Sequence, residues 1–76
     1  MAHTLYKDHT IVYTSRPVRT EDAEKFVPVA VVIWTDLSTD VKRVENLKLR
    51  GAYASDEEAR RIAFTEAMRW VDRKSE

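Results

Sequence analysis

The run FVPVAVVIW, Phe26 to Trp34, places nine residues in a row without a charge. A strand with one wet face alternates apolar and polar residues, because successive side chains point to opposite sides. Here both sides are apolar. A helix is the competing reading for so short an apolar run, and four valines, Ile33 and Pro28 argue against it, since β-branched residues favour strands and proline lacks the N–H that a helix interior needs. The segment Phe26 to Thr35 therefore predicts a strand buried on both faces. A fold containing it must cover both faces or leave one open for something else.

The total length limits the cover. With 76 residues the chain supports one small domain. A chain of this size buries only about 60% of the surface its unfolded form exposes. There is no cysteine. Disulfides and thiolate metal sites are thereby excluded, and core packing holds the fold alone or with a partner. Domain boundaries are expected at residues 1–4 (disordered N-terminus), 5–74 (one α+β domain) and 75–76 (disordered C-terminus).

Around the central run the pattern predicts β-β-β-α. Leu5 to Ser15 reads as a first strand, with Ile11, Val12, Tyr13 and Thr14 β-branched or aromatic and Lys7-Asp8 as a turn or bulge near its start. Arg16 to Lys25 is polar, contains Pro17 and reads as a mobile loop. Phe26 to Thr35 is the second strand, Asp36 to Asp40 a short turn, and Val41 to Arg50 a third, lysine-rich strand that ends before Gly51. The short turn implies an antiparallel hairpin. The period then changes from two to 3.6. Ser55-Asp56-Glu57-Glu58 fits a capping box, opening a helix from Asp56 to about Arg73 with Ala59, Ile62, Ala63, Ala67 and Trp70 on one side. Glu57 and Arg61 are spaced to pair on its wet side. The expected architecture is a three-stranded antiparallel meander with one C-terminal helix on one face.

One helix covers one face. Phe26, Pro28, Ala30, Val32 and Trp34 form the set expected beneath it, because Phe26 and Trp34 carry the largest apolar areas and Ala30 leaves a saddle for the alanine stripe. Tyr13, Ile11 and Leu47 complete this core. The outer face then holds Val27, Val29, Val31 and Ile33, joined by Val12 and Val44. A contiguous apolar patch of several hundred Å2 on a small monomer suggests an interaction site. The competing reading shields those valines with the stems of Lys42 and Lys48 and with the 16–25 loop. The expected partner is a second copy, giving a homodimer through the outer face, or another protein.

Other functions find less support. Thirteen basic and thirteen acidic residues cancel, so no global field steers the chain to nucleic acid or an anionic membrane. The alternative reading is a nucleic-acid-binding or regulatory domain in which Arg16, Arg19, Lys42, Arg43, Lys48 and Arg50 contact phosphates. Asp36, Asp40 and Glu45 stand against it. His3 has the spacing of an N-terminal copper- or nickel-binding motif, but removal of Met1 before Ala2 breaks it. His9 beside Asp8 reads as a turn group. Glu66 falls inside the apolar arc of the helix and is expected at its rim, pairing with Arg69 or Arg73. No nucleophile elbow or glycine-rich loop is present, so no catalytic residue, cofactor or metal is assigned. MAHTLYKDHT lacks the apolar core of a signal peptide, and the longest apolar run is far short of the ~20 residues of a membrane helix. A cytoplasmic, non-enzymatic protein is expected.

The opening Tyr6-Lys7-Asp8-His9-Thr10-Ile11 and the closing Ser55-Asp56-Glu57-Glu58-Ala59 through Trp70-Val71-Asp72 resemble a group of short bacterial proteins, and distantly the HlyU-type proteins, some of which are labelled transcriptional activators. The chain lacks their glycine after Tyr-Lys and their Gly-Asp tail. The resemblance implies a bacterial source and a β-then-α fold, and assigns no activity to named residues.

Overall fold

The computed structural model describes residues 2–75. Four strands are followed by one helix: β1 (Ala2–Tyr6), β2 (His9–Arg19), β3 (Glu24–Asp36), β4 (Val41–Leu47) and α1 (Asp56–Ser75). They form one antiparallel sheet in the order β1-β2-β3-β4. The α+β class and the C-terminal helix agree with the sequence. The strand count does not: there are four strands rather than three. Leu5 to Ser15 is broken at Lys7-Asp8, where both residues take positive φ (47° and 63°) and make a two-residue hairpin turn. Positive φ at both central positions defines the turn whose twist suits a hairpin, and it normally favours Asn-Gly. Lys-Asp hid it. Residues 2–4, placed outside the domain by the sequence, belong to β1. Met1 and Glu76, assigned to unstructured ends, lie outside the described residues.

The expected loop at 16–25 is also corrected. β2 and β3 stay paired out to Arg19↔Glu24, and only Thr20 to Ala23 turn. Thr20 N–H and Oγ both donate to the Ala23 carbonyl, at 2.9 and 2.7 Å. At roughly 3.3 Å per residue β3 spans about 43 Å, against about 30 Å for α1. The β2–β3 hairpin therefore projects beyond the helix as an arm, and the long axis of the molecule is 49 Å.

Pro28 explains the shape of the other edge. Phe26 exchanges both backbone hydrogen bonds with Tyr53, each 2.8 Å. Even-numbered residues of β3 thus present their backbone groups to the β4 side, and Pro28 has no N–H to present. At that point the fourth strand leaves the sheet. It pairs from Asp36↔Val41 to Ala30↔Leu47, departs through residues 48–52, and returns at Tyr53. The third strand expected to reach Arg50 accordingly ends at Leu47. Gly51, at φ +98°, makes the departure possible in a region side-chain-bearing residues rarely adopt.

The core lies between α1 and one sheet face. Ile11, Ala30, Val32, Ala59, Ala63, Ala67 and Val71 are buried. Tyr13, Trp34, Leu47 and Trp70 pack against them, with Trp34 and Trp70 rings 5.3 Å apart. The expected face of β3 is the one beneath the helix. The alanine stripe sets how closely α1 sits. Ser55 Oγ caps it, accepting from the Glu58 N–H at 3.1 Å. Among the described residues no bond returns from the Glu58 carboxylate, so half of the expected box forms. Asp56, not Glu57, makes the i,i+4 pair, with Arg60 at 3.2 Å.

Ala63→Leu adds volume in the fully buried layer between helix and sheet. It is expected to destabilise the fold by about 1–3 kcal/mol, the usual cost of overpacking. Denaturant unfolding followed by Trp34 and Trp70 fluorescence measures this, and both tryptophans should report one transition.

Candidate interaction surface

Cross-strand neighbours share a face, so the register decides which residues lie opposite the helix. Ile33 sits between Thr10 and Val44, Val31 between Val12 and Asn46, Val29 beside Thr14, and Val27 beside Arg16. All six expected interface residues are therefore brought together on the outer face. Leu5, opposite Thr10, extends the patch onto β1. Leu5 is 71% exposed and Val44 55% exposed. The four β3 members and Val12 are half-buried by their neighbours within the sheet. Leu5 was missed because the hairpin turn that separates β1 from β2 was missed. The shielding by a 16–25 loop is absent, since those residues are the arm.

The basic residues of the alternative reading do not gather. Lys42 points to the outer face beside Thr35, whereas Arg43 points to the helix side and pairs with Asp36 at 3.6 Å. Arg16 and Arg19 sit on the arm with opposite alternation, and Lys48 and Arg50 lie outside β4. From the Lys42 row to the Arg16 row is about eight residues along β3, or roughly 26 Å. A strand's period of two splits what the linear sequence groups.

A second feature is a cleft of about 580 Å3 at the end of α1, lined by Lys7, His9, Trp34, Asp36, Arg43 and Lys74 among others. His9 Nδ1 lies 2.6 Å from the Lys7 carbonyl, which only accepts, so Nδ1 carries the hydrogen. Nε2 then accepts from Lys74 Nζ at 3.0 Å, and Lys74 also lies 4.4 Å from the centre of the Trp34 ring. Lys7 is held by Asp72 at 2.6 Å and Asp36 by Ser38 at 2.7 Å. The Lys7–Asp72, Lys74–His9 and Lys74–Trp34 contacts fasten the sheet to the end of the helix, and Asp36–Ser38 closes the turn between β3 and β4. Among the described residues no three histidine, aspartate or glutamate side chains converge on a metal position. Glu66 pairs with Arg69 at 3.1 Å, as its rim position implied. Among the described residues no helix is long and apolar enough to cross a membrane.

The two ends of α1 are tied by carboxylates. Asp56 accepts from Ser15 Oγ, and Asp72 accepts from Lys7 and from Tyr6 Oη at 2.9 Å. The Lys7 hydrogen bond, with that of Tyr6, holds the Asp72 carboxyl below the usual carboxylate range, and Asp72 in turn raises Lys7. The Ser15 hydroxyl lowers Asp56, and the Ser38 hydroxyl and N–H lower Asp36.

Comparison of the chain with protein-family profiles, curated proteins and solved structures gives no match. The resemblance to HlyU-type proteins is neither supported nor opposed by them.

A depressed carboxylate favours the fold above its unfolded value, and the contribution disappears as pH falls through the folded value. Stability should therefore decline from the ordinary carboxylate range downward. Asp72→Asn should flatten part of that acid limb and leave the part due to Asp36 and Asp56. Urea midpoints measured from neutral to acid pH in both chains provide the check.

Proposed function

We propose that this chain is a cytoplasmic, non-enzymatic protein-interaction module that works through its outer sheet face. The observation that carries the reading is a contiguous aliphatic face across the sheet that α1 leaves uncovered. Magnitudes support it. A folded monomer of 8.9 kDa exposes roughly 4,800 Å2 by the usual scaling, whereas this chain exposes 5611 Å2. The excess is on the order of 800 Å2, the area each partner contributes to a standard interface. The radius of gyration, 13.8 Å, likewise exceeds the roughly 11.4 Å expected of 76 residues. The projecting arm contributes to both figures. The scattering of Lys42, Arg43, Lys48 and Arg50 over different surfaces weakens the nucleic-acid reading. A second copy and a different protein both fit the proposal.

Ile33→Lys and Val31→Lys test it, because the long lysine stem lets the charge reach water in the isolated chain but not in a covered face. Both residues are half-buried in the sheet, so each change is expected to destabilise the fold by about 1 kcal/mol and leave it folded. In native lysates resolved by size, the wild-type chain should run well above its own mass and both variants near it. A wild-type chain that runs alone would remove the proposal.

A further inference from the structure

The charges of the strands are sorted by face. Every strand carboxylate, Glu24, Asp36 and Glu45, lies on the helix side: Glu45 is opposite buried Val32, Asp36 alternates with Trp34, and Glu24 with Phe26. The outer face carries only Arg16, Lys25 and Lys42. A chain with no net charge thus has an aliphatic sheet face whose own strand charges are all cationic, the carboxylates Asp8, Glu21, Asp22 and Asp40 standing in the turns beyond the strands. Arg16 and Lys25 are diagonal neighbours at the arm, since Arg16 faces Val27 and Val18 faces Lys25. Lys42 marks the opposite end, roughly 26 Å away along β3.

From this arrangement we infer that the outer face receives an acidic amphipathic helix of a different protein; the inference rests on the reading that this face is an interface. The occupant's apolar stripe lies over Val27, Val29, Val31 and Ile33, and carboxylates at its two ends meet Arg16 with Lys25 and Lys42. A span of roughly 26 Å corresponds to a helix of about 17 residues. An apolar sheet face is buried by an amphipathic helix or by a second sheet, and the opposite face of these same strands already takes an amphipathic helix. Shape and chemistry are both met by a second helix.

Charge also argues against the other occupants. In a face-to-face pair of this chain related by a two-fold axis, one end of the strip meets either the same end or the opposite end of its copy. The strand charges at both ends are basic, so in either arrangement Arg16, Lys25 and Lys42 face their own sign. Like charges across an interface select against a partner, and opposite charges select for one. A nucleic acid would meet valine and isoleucine, which neither hydrogen-bond nor stack with bases. No tryptophan, tyrosine or phenylalanine of β1–β4 points to this face, so the aromatic anchors typical of a membrane-surface element are missing.

The test uses two fluorescein-labelled amphipathic peptides of about 18 residues, a length set by the span above. They share one leucine stripe and differ only in flanking glutamates or lysines. Anisotropy titrations with the full chain, whose mass is followed by sedimentation equilibrium, should show the glutamate peptide binding at least about tenfold tighter. That preference should shrink as salt rises from about 50 to about 300 mM. Combined Arg16→Glu, Lys25→Glu and Lys42→Glu should reverse it, and Val31→Asp should abolish binding of both peptides. Equal binding of the two peptides, lost in Val31→Asp, keeps the interface and overturns the acidic partner. Binding that ignores Val31→Asp overturns it too. A chain that dimerises and excludes both peptides, with Val31→Lys restoring the monomer, replaces the acidic helix by a second copy. A monomer that binds neither peptide removes both the inference and the interface reading.

Discussion

The structure depends on the close approach of one alanine-lined helix to one side of β3. Ala59, Ala63 and Ala67 on α1 meet Ala30 and Val32 on the sheet, all essentially inaccessible to solvent. Small side chains let helix and sheet backbones come near, and the large rings of Trp34 and Trp70 then close one end of the layer. Packing of this kind is intolerant of added volume, because protein interiors are as dense as organic crystals. It also consumes α1, the one helix among the described residues. A sheet with two apolar sides and one covering layer has a free side by arithmetic.

Polar contacts orient what the apolar contacts bring together. Asp56 reaches Ser15 near the start of α1, and Asp72 reaches Tyr6 and Lys7 near its end. The helix thereby runs antiparallel to β2, spanning the strand from Ser15 back to the first hairpin. All of these groups are partly exposed, so they add modestly to stability. Their larger effect is on register: they hold the helix along β2 and β3 and leave the arm outside its reach. The cation–carboxylate pair at Lys7 also secures a turn whose positive φ values lysine and aspartate adopt at some cost.

Much of this was legible in residue order. The choice of face on β3, the core residues Ile11, Tyr13 and Leu47, the capping serine and the membership of the outer face all followed from alternation and volume. What escaped did so for particular reasons. Lys7-Asp8 is a poor signature for the tight turn it makes, so β1 and its Leu5 were merged into β2. Arg16 to Lys25 is polar and contains proline, yet pairing continues through it, because an arm held only by its partner strand needs no apolar alternation. Val71 was passed over on the helix although it is buried.

By itself the sequence determined that β3 is apolar on both sides, that one alanine-striped helix follows the strands, and that the totals of positive and negative charge are equal. These are properties of composition and period, which local chain geometry converts directly into faces. Tertiary structure alone decided where the charges stand. Pairing register puts Arg16, Lys25 and Lys42 on the open side and Glu24, Asp36 and Glu45 on the helix side. Register depends on two turns and on the interruption at Pro28, and a slip of one residue would exchange the faces. A neutral chain thus acquires a one-sided surface only once its strands are aligned.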